Sequence, residues 1–483
     1  MDAIGDRRIY RHPEWAFDRG YPIHIRFEGK RIRAFSNEPV AVAMMAAGVP
    51  VTMRSFKFHR PRGPFCLAGK CASCLVRIDG VPNCKACRIT CRDEMVVQRQ
   101  AGFPTASDDA LFANDFLFRK KLDYHHMMTS PQWLNNLAAF AIRQFSGIGD
   151  LPDDPPKTES TISDCECDVA VIGGGPAGIE AALAAHTAGA SVVLVDDRPH
   201  VGGHLLSWPD ALDDTDTGQS YCAEATALLA ESDIRVLSDT ECVGFYEEGF
   251  FACANENGLV CLHPKRTVLA TGGYDQNMLF AQNDLPNIIS VRALASLVVR
   301  WGVRPADRIF FLGSGDMVPM LAMRLREMDV EIAGIAEQGE TLRSDPERFE
   351  AIRMHGTPVL TRHVPESALG RFALRGVKLR DAYGGTKSTR CDMIVVDAPL
   401  SPTYELAAQV GAALKFAPDA GGYIPEHDHT GRSSVESVFV AGEICGQGAP
   451  AQLRKQGRIA GIAAALDLYD NDKTRESLAR ELE

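Results

Sequence analysis

Residues 167–198 read CDVAVIGGGPAGIEAALAAHTAGASVVLVDDR, and this stretch decides the fold. The unbroken apolar run Val169–Ile172 suits a strand buried on both faces. It runs directly into Gly173-x-Gly175-x-x-Gly178 and an Ala-rich helical segment, and a second apolar run at 192–195 then ends in Asp196. A lone G-x-G-x-x-G is weak, but a strand before it, a helix after it and an acid 23 residues beyond Gly173 make a dinucleotide-binding βαβ unit. Gly173 permits the tight turn, Gly175 lets a pyrophosphate approach the backbone, and Gly178 lets helix pack on strand. Pro176 and Ala177 complete the turn and open the helix, whose N-terminus offers N–H groups and partial positive charge to phosphate. Asp196 is expected to accept hydrogen bonds from a ribose diol.

Further along, two features point to FAD rather than NAD at this site. VGGHL (201–205), which includes Gly203, resembles the GG continuation of flavoprotein disulfide-reductase-like enzymes. VESVFVAGEICG (435–446), with Gly442 and Glu443, resembles the strand-plus-acid motif that meets the flavin ribityl chain there. The acid is usually Asp in that motif, so Glu443 is a departure. RTVLATGGY (266–274), with Thr271 and Gly272, reads as the strand that returns toward a second nucleotide domain.

That second unit is DRIFFLGSGDMVPMLAMRLREMDVEIAGIAE (307–337). It shows a strand, Gly313-x-Gly315, a helix, a strand, and Glu337 at the ribose-acid distance, but Val318 replaces the third glycine. Gly313, Gly315 and Glu337 are therefore candidate ligands of NAD(H), ATP or FMN, at this or an interface site. The alternative is a degenerate Rossmann unit kept as scaffold.

Upstream, Cys66, Cys71 and Cys74 are spaced C-x4-C-x2-C, which is plant-type [2Fe–2S] ligation awaiting a more distant fourth cysteine. Cys87 is the choice after the hairpin LVRIDGVPN, with Cys84 and Cys91 as competitors. A second centre built on CKACRITC (84–91) and a zinc site are the alternatives weighed against it. Arg54, Lys57, Arg60, Arg62, Lys70, Lys85 and Arg88 surround the segment; such cations stabilise an anionic cluster or form a solvated docking face.

The whole chain has 483 residues, 45% hydrophobic and 24% charged, as a soluble globular protein of about three domains would. Net charge is −12, yet residues 1–100 hold 18 Lys+Arg against 9 Asp+Glu. The acidic remainder argues against a nucleic-acid partner. No apolar run is long enough for a transmembrane helix, and the N-terminus lacks an export signal, so the expected location is cytoplasmic. Fourteen cysteines in such a chain are not read as a disulfide framework.

The expected fold is α/β: a Rossmann-like FAD domain with an inserted nucleotide domain, behind an N-terminal α+β ferredoxin-like domain. Residues 1–20 read as an exposed arm, 21–100 as the ferredoxin-like [2Fe–2S] domain, and 101–165 as a helical connector and linker. Residues 166–275 with 395–483 read as the FAD domain, and 276–394 as the second nucleotide domain. Within these, YPIHIRFEGKRIRAF (21–35) predicts a hairpin, 39–48 a buried helix, and 130–145 an amphipathic helix.

RSFKFHRPRG (54–63), the cysteine segment and CDVAVIGGGPAG with VLVDD resemble the α subunit of heterotetrameric sarcosine oxidase. They also resemble the iron–sulfur and FAD subunits of hydrogen cyanide synthase and opine oxidase. Two departures stand out. Sarcosine oxidase α generally lacks the cluster cysteines and continues into an aminomethyltransferase-like half. The resemblance implies an FAD/[2Fe–2S] electron-transfer subunit whose partner is a D-amino-acid-oxidase-like flavoprotein. The partner would oxidise an amine or amino acid of sarcosine, opine, proline or glycine type and pass electrons onward to an acceptor. Rival readings are a self-sufficient NAD(P)H:acceptor reductase and a non-catalytic scaffold. No nucleophile–base pair is assigned; His59 and His204 are the nearest candidates, and neither is given a catalytic role.

Overall fold

The computed structural model describes residues 5–11, 17–102, 105–106, 108–117, 131–146, 160–209, 217–469 and 472–482. Their contacts divide the chain into two units: residues 1–155 with 277–398, and residues 156–276 with 399–483.

In the first unit the alternating stretch folds as the expected hairpin. The strand Pro22–Phe27 pairs antiparallel with Lys30–Phe35, and both turn residues, Glu28 and Gly29, have positive φ. Ile23, Ile25, Phe27 and Ile32 are buried on one side of it. The helix Val40–Ala46 is apolar throughout and buried throughout. Strands Leu75–Ile78, Val81–Lys85 and Val96–Arg99 complete a five-stranded sheet. A mixed sheet carrying one buried helix is the α+β domain expected.

The segment read as an exposed arm is instead tied down. Arg8 and Arg19 are each only 6% exposed. Arg8 Nε and Nη2 each lie 2.8 Å from a carboxylate oxygen of Glu38. Arg19 Nε donates to the Trp301 carbonyl at 2.8 Å, and Ile9 N–H donates to the Gly302 carbonyl at 2.8 Å. The physical reason is Glu38, which is fully buried and requires a paired cation there.

The other half of this unit is a five-stranded parallel sheet. Its order is Ile288–Ser290, Met393–Val396, Arg308–Leu312, Glu331–Ala336, Val359–Leu360. The helix Met317–Glu327 follows Arg308–Leu312. One apolar core joins this sheet to the cysteine loop: it contains Phe65, Cys66 and Ala68 together with Leu285, Ile288, Phe310, Leu312 and Val396. Ion pairs reinforce the join, with Arg62 Nη1 3.0 Å from Asp284 and Arg60 Nη2 2.7 Å from Asp115. Two of the basic residues read as a docking face are thus engaged inside the unit. The connector helix spans Gln132–Ser146 and leaves Trp133, Leu137 and Phe140 exposed. The Pro- and Asp-rich linker at 147–159 lies outside the described residues.

The second unit is built on two long parallel strands, Thr161–Ile172 and Gly258–Leu269. Val192–Val195 and Arg235–Leu237 extend the sheet on one side, and Val438–Val440 pairs with the second long strand. The first strand starts well before its apolar run, because its outer half is held by Gly258–Pro264. Helices Pro176–Thr187 and Pro450–Leu466 lie close enough that a Cβ on Gly457 would stand 2.1 Å from the Ala177 carbonyl oxygen. At Gly461 the corresponding distance to the Ala181 oxygen is 2.2 Å. No helix among the described residues is long and apolar enough to cross a membrane.

Glu38→Ala would remove the bidentate partner of the buried Arg8 guanidinium, leaving Asp6 at 3.0 Å. Urea unfolding of the first unit is expected to show a loss of about 3–5 kcal/mol; an unchanged midpoint would contradict the clamp.

Candidate functional site

The first cradle is built by close approach. Gly173 sits at φ 109°, and a Cβ there would stand 2.3 Å from the Ala270 carbonyl oxygen. A Cβ on Gly178 would stand 1.7 Å from the Gly173 oxygen, so only glycine lets the helix begin this near the strand. Around Gly175, by contrast, nothing lies within 4 Å of the corresponding position. That open space faces a helix N-terminus without a side-chain cap, which is what a pyrophosphate requires. Gly203, at φ 56°, brings its own backbone alongside Gly175, with 3.0 Å between its Cβ position and the Gly175 Cα.

Asp196 is 8% exposed and accepts from Gly174 N–H and, at 2.8 Å, from Arg198 N–H. Burial, then the neighbouring Asp197 charge, push its carboxyl above the usual range. Gly442 has φ 85°; its Cβ position lies 2.8 Å from Ala177 Cβ, and its N–H donates to Gln456 Oε1 at 3.1 Å. Glu443 Oε2 lies 3.9 Å from the Cβ position of Gly272. Thus the residues singled out at 173–178, 196, 203, 272 and 442–443 converge on one turn. Sequence reasoning missed Thr403, whose hydroxyl oxygen lies 2.8 Å from both the Gly272 carbonyl oxygen and Thr271 Oγ1. It also missed Gln456. Neither residue belongs to a local motif; each acts across more than ten residues of chain.

The cysteine loop gathers four thiols as two pairs. Cys74 Sγ lies 3.4 Å from Cys87 Sγ, and Cys66 is hydrogen-bonded to Cys71. Within each pair the shared proton holds one thiol up and the other down: Cys66 up and Cys71 down, Cys74 up and Cys87 down. Backbone N–H groups already point at sulfur, from Gly69 to Cys87 at 3.2 Å and from Ala68 to Cys66 at 3.4 Å. Among the described residues no three His, Cys, Asp or Glu surround a single-ion position. Two thiol pairs suit two iron atoms instead, so the donor set fits a [2Fe–2S] centre held by Cys66, Cys71, Cys74 and Cys87. The competitors stand apart. Cys84 Sγ donates to the Val81 carbonyl, and Cys91 is buried beside Glu38, its thiol pushed up to about 12 by burial and then that carboxylate.

The second Rossmann turn has the expected backbone but a different content. Gly313 stands at φ 108°, as Gly173 does. Gly315 N–H, however, donates to Asp397 Oδ2 at 2.6 Å. Asp397 is 5% exposed and is also held by the Arg343 guanidinium. Glu337 accepts from Ser314 Oγ at 2.5 Å and Gly339 N–H at 2.9 Å, with Arg343 Nε at 3.4 Å. The residues expected to bind NAD(H), ATP or FMN thus have hydrogen-bond partners within the protein, including a carboxylate on the Gly315 N–H. His59, weighed as an acid–base group, is buried and paired through Nδ1 to Asp109 at 3.0 Å.

Comparison with known proteins agrees with this geometry. A 2Fe-2S iron-sulfur cluster binding domain model matches residues 20–102, and a pyridine nucleotide-disulphide oxidoreductase model matches 167–467. The alpha chain of sarcosine oxidase from Rhizobium meliloti is 25% identical over 457 residues, covering 90% of this chain and 45% of that protein. An opine oxidase subunit from Agrobacterium tumefaciens is 22% identical over 343 residues, covering 62% of this chain and 66% of that protein. The chain thus spans less than half the length of the sarcosine oxidase chains it matches. Among solved structures, L-proline dehydrogenase from P. horikoshii superposes with a TM-score of 0.68 at 22% identity, covering 96% of this chain and 78% of that one. The resemblance and the fold class read from the sequence are both borne out.

Cys71→Ser is expected to remove the iron and its electron paramagnetic resonance signal while flavin absorbance is retained. Cys84→Ser and Cys91→Ser are expected to keep both; loss of iron in either would reassign the fourth ligand.

Proposed function

The chain belongs to the pyridine nucleotide-disulphide oxidoreductase family, and from that membership we propose that it is the electron-transfer FAD/[2Fe–2S] subunit of an amine or amino-acid dehydrogenase or oxidase. It is an FAD-dependent oxidoreductase, and it carries an iron–sulfur cluster domain. The observation that carries the proposal is the presence, on one polypeptide, of an open phosphate cradle at Gly175 and a two-pair thiol loop. FAD, when bound, exchanges two-electron for one-electron steps, and a [2Fe–2S] centre carries one electron at a time.

The residues of this chain bind and position. Gly173, Gly175, Pro176, Ala177 and Gly178 form the pyrophosphate seat. Asp196 anchors the ribose, and Gly203, Thr271, Gly272, Gly442 and Glu443 border the rest of the flavin. Cys66, Cys71, Cys74 and Cys87 would hold the irons as thiolates, with the Gly69 N–H donating to Cys87 Sγ. In this reading, oxidation of the C–N bond takes place on a partner, a D-amino-acid-oxidase-like flavoprotein, in a cytoplasmic hetero-oligomer. Support for a partner comes from relatives named as subunits. The substrate class is a secondary amine or amino acid of sarcosine, opine, proline or glycine type.

Affinity purification from the native host, followed by mass spectrometry, is expected to recover a second flavoprotein. The assembled complex should bleach with such an amine under anaerobic conditions. Rapid bleaching of the isolated chain by NADH or NADPH, with no partner recovered, would favour a self-sufficient reductase instead.

A further inference from the structure

The two glycine-rich turns differ in what lies over the helix N-terminus. At Gly175 the space over the helix N-terminus is open. At Gly315 the corresponding Cβ position lies 2.8 Å from Asp397 Oδ2, and that oxygen takes the Gly315 N–H. A carboxylate is the protein's own version of a phosphate oxygen: anionic, and drawn to a helix N-terminus. The segment after Glu337 folds down over the turn. Arg343 N–H donates to Ser314 Oγ at 2.9 Å, and Ser344 N–H donates to the Ser314 carbonyl at 2.9 Å. Arg343 then joins the anion seat to the ribose-acid position by contacting both Asp397 and Glu337. A diphosphate entering here would have to displace one buried carboxylate and remain beside another.

The mouth of the same unit is also taken. Ligands of open α/β sheets bind outside the carboxyl ends of the strands. Here those ends are Leu312, Ala336, Leu360 and Val396. Leu312, Ala336 and Val396 belong to the apolar core that contains Phe65, Cys66 and Ala68, and Leu360 and Cys71 pack against that core. Direct contacts fix the join: Ser290 N–H donates to the Phe65 carbonyl at 3.0 Å, and Arg62 pairs with Asp284. Cys74 and Cys87, by contrast, lie in the ferredoxin-like domain's own core.

We propose that the second Rossmann-like unit takes no nucleotide: Asp397 fills its phosphate seat, and the carboxyl end of its sheet serves as a cover for the Cys66/Cys71 side of the iron–sulfur loop. The proposal rests on the thiol assignment above but needs neither a partner nor an amine. Because a four-thiolate [2Fe–2S] centre gains negative charge on reduction, an apolar cover holds its potential down, and admitting water raises it.

Two measurements on the full-length, flavin- and iron-loaded protein test this. Calorimetric titration with NADH, NADPH and ATP to millimolar concentration is expected to give no saturable heat, whereas Asp397→Ala is expected to gain at least tenfold in affinity for one of them. Saturable micromolar binding to the wild type overturns the filled seat, and so does an Asp397→Ala variant that folds and still binds nothing. Leu285→Ala, or Leu360→Ala should the first fail to fold, is expected to raise the midpoint potential in a titration followed by electron paramagnetic resonance. An unchanged potential in the folded variant overturns the cover. Neither result depends on whether an amine-oxidising partner exists.

Discussion

A phosphate cradle exists only while the amide hydrogens at its helix N-terminus lack an anion from the protein itself. This constraint governs both halves of the nucleotide-binding architecture. The two turns share the positive φ of their leading glycines, 109° at Gly173 and 108° at Gly313, so their backbones are built alike. What separates them is a side chain arriving from elsewhere. The space at the Gly175 Cβ position is open to 4 Å, whereas Asp397 reaches Gly315 from 82 residues away. Backbone geometry therefore gives the fold, and the distribution of carboxylates decides which turn stays open to a ligand.

The same accounting of buried charge explains the N-terminal region. Glu38 lies at the start of a helix in which every residue is buried. An unpaired carboxylate there would carry a heavy desolvation cost, and Arg8 meets it with two hydrogen bonds. The segment that supplies Arg8 also reaches Trp301 and Gly302 through Arg19 and Ile9. Charge that looks like solvated surface in the sequence becomes the tie between the small sheet and the parallel sheet. Arg60 and Arg62 repeat the pattern with Asp115 and Asp284.

These features mark what a single sequence discloses. The first cradle was legible because its demands are local: Gly178 has no room for a Cβ, and strand, turn and helix are contiguous. The thiol pairs were legible for the same reason, since three of the cysteines lie within nine residues and a hairpin returns the fourth. Long-range satisfaction was not legible. Thr403 reaches the Thr271–Gly272 turn across more than 130 residues, and an Asp at the end of a strand carries no sign that it fills a distant anion seat. The apolar spacing of Trp133, Leu137 and Phe140 did forecast a helix, but periodicity alone does not say whether that face is covered, and in this chain it is exposed.

The fit of Pro450–Leu466 onto Pro176–Thr187, through Gly457 and Gly461, has a consequence for biogenesis. The helix that opens the flavin seat gains its packing partner only after some 270 further residues have left the ribosome, and the sheet waits equally long for Val438–Val440. Such distant pairing is slow to form. Nascent chains therefore carry an unfinished seat until Val438–Val440 and Pro450–Leu466 have both emerged, and loading of the prosthetic group follows that point.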